Sequence, residues 1–433
     1  MSPENQIIES GIYMTSMSDA LVKEDATIYA REIRPVFTHA ESTILSIIRK
    51  NQGASKVDLI RMTDYSRSKI TGCINSLIES GFIHTNGLSG NTGGRRSVIF
   101  TLHGNKGLVF GADIGATSID LMITDLRGKR LARYEEPGLV KHGPRKVLSR
   151  ICVLFDRLME ENNLTEQPVL AFGIGVPGPV DFRRGLVVSP PIMPGWDQFP
   201  IIPFINDHLP DTFVVVDNDV NIMALGESVQ GIGIDKQNII FVKIGTCIGA
   251  GIICEGRVYH GTAGCAGDIG HICVDSEEGP FCPCGNRGCL EVLAGGDAIA
   301  RRAAEAVKNG TSEILKKYYD RRGGEIRAED IGSAAREGDP ISIKIIRESG
   351  MVIGDVMAGL VNFYNPGMIV IGGGVSNLGN ILLSSIHQAI LKRSLPLATK
   401  DLPVVFSSLK EDAGVIGAIN LALDVYLSME RVY

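Results

Sequence analysis

Between His271 and Cys289 the chain offers one imidazole and three thiols, from His271, Cys282, Cys284 and Cys289. One nitrogen and three sulfurs form the donor set of a closed, tetrahedral zinc site. Gly285 and Gly288 stand among the last cysteines, where a backbone without Cβ turns tightly enough to bring three sulfurs onto one ion. Two carboxylates, Asp268 and Glu291, flank the cluster. The spacing predicts a Zn2+ ion that shapes a polar binding pocket.

The bulk composition says what kind of chain must position these residues. With 433 residues, 44% hydrophobic and 21% charged, it has material for two or three soluble globular domains. Nine cysteines, an odd number with a metal-type cluster among them, fit a reducing cytoplasm better than a disulfide framework. Residues 1–20 lack the continuous apolar core of a signal peptide. The longest apolar tract, 239–253, is broken by Lys243 and by Gly245, Gly249 and Gly251, so it reads as two strands and a turn, not a membrane span.

Charge is unevenly placed. The whole chain carries −6, yet residues 40–105 hold eight basic against four acidic side chains. That segment is therefore +4 and the remainder −10, the layout of a basic nucleic-acid module on an acidic body.

The basic segment has the pattern of a winged helix-turn-helix. Residues 1–37 form an arm without clear periodicity, and a DNA-binding domain is expected over 38–105. Ile44, Leu45, Ile47 and Ile48 make an apolar helical stripe. Ser55 with Asp58 forms a capping box for a short second helix burying Leu59, Ile60 and Met62. Ser66 caps a third helix, with Ile70, Ile74, Leu77 and Ile78 inward and Gly81 as its terminating glycine. Its outward face holds Arg67, Ser68, Lys69, Thr71 and Asn75, small and basic groups suited to a major groove. A hairpin with Arg95 and Arg96 near its tip follows, placed to touch the sugar–phosphate backbone as a wing. A basic helix face alone would equally fit a dimerisation bundle; the helix spacing and the arginine-tipped hairpin favour DNA.

The rest reads as α/β, in two lobes over 106–225 and 226–433, with a closing helix over 411–427 returning to the first lobe. A strand ending in Asp113 runs into Gly115-Ala116-Thr117, and strand 239–244 runs into Gly245-Thr246. Small residues at such hairpin tips let main-chain amides approach phosphate. Strand 213–217 enters Asn218-Asp219, and strand 368–372 enters a triple-glycine bend.

These motifs in this order, with Gly270-His271 and the cysteine cluster where they stand, closely resemble the ROK family, in its repressor branch. The resemblance covers about 40–425 and implies a winged helix ahead of a two-lobed actin-like ATPase fold, that of ROK sugar kinases. It implies that Asn218, Asp219, Asp268, His271 and Glu291 contact sugar, that Asp219 is the general base wherever kinase activity is retained, and that His271 serves both zinc and sugar. Carboxylates accept hydroxyl protons, and an imidazole has one nitrogen for the metal and one for the ligand.

Departures from the kinase pattern carry equal weight. Ala116 and Ser118 replace a glycine and a lysine at the first tip, Cys247 and Ala250 replace glycines at the second, and Asp268 replaces a glutamate. Side chains that displace a phosphate by about 1 Å can reduce turnover on the order of a hundredfold. The expectation is a sugar-responsive regulator, a repressor, binding operator DNA as a homodimer with a sugar or sugar phosphate as effector. The resemblance also admits a transporter-domain protein as a partner. The rival reading is an active sugar kinase whose front module only oligomerises.

Overall fold

The computed structural model describes residues 35–88, 97–138, 140–191 and 193–428. The reader module begins with helix His39–Lys50, whose Thr38 and Glu41 form a reciprocal capping box. Ser55 and Asp58 do the same for Lys56–Met62, and Ser66 caps Arg67–Glu79 through the amide of Lys69. Gly81, at φ +75°, turns the chain out of the third helix into strand Ile83–Leu88. That strand pairs antiparallel with Val98–Leu102, which also pairs with Ala54–Ser55.

Ile44, Leu45, Ile48, Leu59, Ile70, Ile74 and Leu77 are buried in this module. Three expected core positions differ. Met62 is 48% and Ile78 41% exposed, and Ile60 is half-buried. The middle helix has seven residues and ends at Met62, too short to present a second apolar turn. On the third helix Cys73 completes the 70-73-74-77 stripe and leaves Ile78 beyond its edge.

The body is built on two five-stranded sheets with one topology. In the first the order is Phe213–Asn218, Val169–Val176, Leu108–Ile114, Ser118–Asp125, Arg130–Pro137. In the second it is Val404–Phe406, Met368–Gly372, Ile239–Ile244, Ile248–Cys254, Arg257–Val258. Each central strand pairs antiparallel with the strand that follows it and parallel with a later one. Both central strands are nearly continuous apolar runs because helices cover both faces. Pro144–Glu161 covers the first sheet, while Pro340–Tyr364 and Asn380–Arg393 cover the second. The long helix is capped by Asp339 and stopped by Asn365 in the left-handed conformation, just before Pro366.

Two helices lie between the sheets. Asp219–Gln230 follows the last strand of the first sheet, and Asp412–Leu427 follows the last strand of the second. They cross at main-chain range: a Cβ on Gly417 would lie 1.7 Å from the carbonyl of Ile222, and one on Gly226 2.2 Å from that of Ala413. The lobe boundary expected at 225/226 falls inside the first of these helices.

The closing helix also carries the reader module. Arg49 donates to Asp424 at 2.5 Å and to the side-chain oxygen of Asn420 at 2.8 Å. The ring of Tyr426 sits between Phe82 and Phe213, with centroids at 6.4 and 6.3 Å. Reader, closing helix and first sheet therefore share one apolar core. Among the described residues no helix is long and apolar enough to cross a membrane.

Candidate functional site

The cysteine segment folds as a compact knot. Gly288 has φ +64° and a Cβ there would strike the carbonyl of Asp275 at 1.6 Å, so the turn admits only glycine. Donor atoms of His271, Cys282, Cys284 and Cys289 lie within 4.8 Å of one another. Sγ of Cys284 is 3.7 Å from Sγ of Cys289, and Sγ of Cys282 is 3.5 Å from Nδ1 of His271. Tetrahedral Zn–S bonds of about 2.3 Å would set sulfurs about 3.8 Å apart. The donor set and its spacing fit a metal ion. Burial pushes the thiols of Cys282 and Cys289 up. At Cys284 burial also opposes charge, but the amides of Asn286 and the neighbouring thiols outweigh it and hold that thiol down. A bound cation would favour all three thiolates.

His271 belongs to both the knot and a cleft. Its Nδ1 faces Cys282, and its Nε2 lies 3.9 Å from Oδ1 of Asp268. Glu291 leans on the knot more than expected, with Oε1 3.2 Å from Sγ of Cys282 and 3.6 Å from Nδ1 of His271. Asn218, Asp219, Asp268, His271 and Glu291 all line one cleft of about 640 Å³. The same cleft is bordered by both hairpin tips, including Ala116, Ser118, Cys247 and Ala250, and by the glycine bend at Gly374.

Local structure explains how the Asn-Asp pair is held. Asn218 caps helix Asp219–Gln230: its Oδ1 accepts from the amides of Val220 at 2.8 Å and Asn221 at 3.3 Å, and its Nδ2 donates to the carbonyl of Gly178 at 2.8 Å. One side-chain N–H of Asn218 is left for a ligand. Beneath it, buried Asp217 accepts from the amide of Asn218 and from Asn221, and pairs with Nε2 of His260 at 2.7 Å. His260, from the second half, stacks on Phe182 at 4.0 Å from the first.

Two features escaped the sequence reading. The first is Lys243, whose ammonium meets Oδ2 of Asp219 at 2.5 Å. Burial works against that charge, but Asp219 and Asp113 outweigh it and hold Lys243 above its ordinary value. The available signal was a lone lysine in the apolar run Ile239–Ile244. The second is the environment of Asp113. Its Oδ1 is buried without a hydrogen-bond partner, and its Oδ2 lies where a Cβ on Gly414 would be, 1.8 Å away. Burial pushes this carboxyl up to about 7, with Lys243 opposing the shift.

On the third helix of the reader, Arg67, Ser68, Lys69 and Asn75 are exposed and Thr71 is half-buried, donating to the carbonyl of Arg67 at 2.6 Å. Arg95 and Arg96 lie outside the described residues.

Comparison with known proteins places this geometry. Residues 109–425 match the ROK family, and 40–84 match a winged helix-turn-helix DNA-binding module. A glucokinase of Halalkalibacterium halodurans is 34% identical over 74% of this chain and 96% of its own length. A xylose repressor of Caldicellulosiruptor bescii is 29% identical over 89% of this chain and 95% of its own. Among solved structures, a ROK family transcriptional regulator described as a homolog of the E. coli Mlc protein superposes with TM-score 0.79, at 27% identity, over 94% of this chain and 99% of that one. A Streptomyces griseus ROK glucokinase, solved with glucose and AMPPNP, gives 0.64 at 30% identity over 73% and 99%. The kinase matches take in about three quarters of the chain (74% and 73%), the regulator matches about nine tenths (89% and 94%). The chain belongs to the ROK family, with a winged helix-turn-helix ahead of its ROK domain.

Proposed function

We propose that this protein is a sugar-responsive transcriptional repressor of the cytoplasm. The observation that carries the reading is the pairing of a small, basic helix face with an acceptor-rich cleft whose phosphate hairpins bear side chains. Likeness to a repressor and to a regulator over nearly the whole chain supports it. Zn2+ held by His271, Cys282, Cys284 and Cys289 would fix the imidazole so that Nε2 faces the ligand. Asp219, Asp268 and Glu291 would accept sugar hydroxyls, with Asn218 donating.

On DNA, Arg67, Ser68, Lys69, Thr71 and Asn75 would face the major groove and Arg95 and Arg96 the backbone. Two copies would read two half-sites as a homodimer. Coupling has a route: the helix that starts at Asp219 crosses the closing helix at Gly226 and Gly417, and the closing helix grips the reader through Arg49. A sugar that draws the halves together shifts both helices and so the spacing of the two readers.

The test is a band shift with promoter DNA adjoining the gene, titrated with hexoses, pentoses, amino sugars and their phosphates. Retarded DNA released by one sugar is the expected result, with Asp219→Asn retarding DNA and not responding. Failure to retard any adjoining promoter would remove the reading. The kinase alternative draws on Asp219 and on the glucokinase likeness; ADP release near about 10 per second, an ordinary enzyme rate, would favour it.

A further inference from the structure

We propose that Lys243 is a built-in counter-ion that takes Asp219 out of proton chemistry and makes the sugar end of the cleft a receptor for uncharged sugars, bound and released unchanged. This rests on the sugar-sensing reading above and narrows its ligand.

The placement of Lys243 is not one that packing would select. Its strand neighbours on both sides are glycines, Gly249 and Gly372, so no adjacent side chain flanks it. It continues the face of Ile239 and Phe241, which packs on helix Asp219–Gln230. An ammonium at a helix N-terminus opposes the helix dipole, and an apolar residue would fill an apolar face at lower desolvation cost. What the lysine gains there is Asp219, at 2.5 Å, with Asp113 close enough to act on the same charge.

That pairing changes what Asp219 can do. A general base must receive a hydroxyl proton as the nucleophile attacks. Here protonation would discard the ion pair and leave an ammonium beside a neutral acid. Oδ2 is already engaged by Lys243, which leaves Oδ1 to accept a hydrogen bond from a hydroxyl that keeps its proton.

It also sets the ligand's charge. Among the described residues lining the cleft, five carboxylates (Asp219, Asp268, Glu291, Asp297 and Glu329) face two permanent cations, Lys243 and Arg327. Lys243 is already paired. Arg327 stands just before helix Ala328–Arg336, which borders the Gly374–Leu378 turn. A sugar phosphate would bring a dianion toward Asp219 and Glu291, where Lys243 is already bound to Asp219, a built-in rejection. Uncharged hydroxyls meet the acceptors Asp219, Asp268 and Glu291 and the side-chain donor of Asn218.

The experiment is calorimetry on the metal-loaded, full-length protein with xylose, glucose and N-acetylglucosamine and with glucose 6-phosphate and N-acetylglucosamine 6-phosphate, followed by ADP release under Mg-ATP. At least one uncharged sugar should bind, its 6-phosphate at least about tenfold more weakly, with no turnover. Lys243→Arg should retain sugar affinity within about threefold and Lys243→Met should lose about tenfold, at unchanged metal content and melting temperature. A phosphate that binds as tightly as its parent sugar, or a Lys243→Met variant with unchanged affinity, would each overturn the inference and leave the sensor reading standing; steady ADP release with the bound sugar would overturn the inference and favour the kinase alternative. Binding of no saccharide at all would remove both.

Discussion

The two halves of the body share a strand order and differ in what they carry at matching places. Asp113 and Lys243 each sit one residue before the end of a central strand, just ahead of the first glycine of a hairpin tip. In the first half that position holds a carboxylate with an unpartnered oxygen, in the second an ammonium paired across the cleft. The helices after the last strands also correspond. Asp219 opens one and faces the cleft; Asp412 opens the other and pairs with Arg133 of the first sheet. Even the tie between halves is lopsided. Glu227, fully buried, accepts from Ser407, Ser408 and the amide of Leu409, joining the first helix to the loop before the second. The backbone is duplicated, and the chemistry is not. One half supplies the Asn-Asp pair; the other supplies the histidine–cysteine knot, the remaining acidic residues of the cleft, Lys243 and the helix that grips the reader.

Breaking the second half's contribution should have the largest effect. Cys284→Ser is expected to lose bound metal and to weaken sugar binding about ten- to a hundredfold, while operator affinity stays within about twofold. Metal analysis with calorimetry and band shifts checks this; full sugar affinity without metal would separate the knot from the cleft. Next comes the closing helix's grip on the reader. Arg49→Ala should keep both ligands but reduce the sugar's effect on operator affinity about tenfold, within the usual range of coupling energies. Sugar titrations of operator binding read it out, and undiminished release would place the coupling elsewhere.

The smallest effect sharpens the Asp113–Lys243 contrast. Burial raises Asp113 from 3.8 to about 7 in the folded chain. Between about pH 4 and pH 7 the folded state keeps a proton that the unfolded chain has lost, so this group's contribution to stability declines as pH rises through that window. Asp113→Asn should therefore raise the melting temperature by about 3 °C or more at pH 8 and leave it unchanged at pH 4. Equal gains at both values would show that charge at Asp113 is not the cause.

What the sequence made legible was local. The knot's histidine and cysteines fall within one short segment, and caps such as Ser55 and Ser66 act on amides within a few residues. The hairpins announced themselves by glycines at their tips. What stayed hidden pairs residues far apart: Lys243 with Asp219, Asp217 with His260, and Arg49 with Asp424, 375 positions away. No periodicity encodes such partners. The shared strand order was equally invisible, because both halves keep their apolar patterns without keeping the same residues. Ile78 and Met62 show the opposite failure, where an apolar residue near a stripe was assigned to it although the helix had run out of face.

Where Gly226 and Gly417 meet, peptide presses on peptide with nothing between. At that point the two main chains touch directly, so a turn of one helix is passed to the other without slack. Asp424 lies seven residues farther along the closing helix, about 10 Å from the crossing, and a swivel of ten degrees would carry that end through about 2 Å. A small closure at the cleft would thus arrive at the reader as displacement with a defined direction.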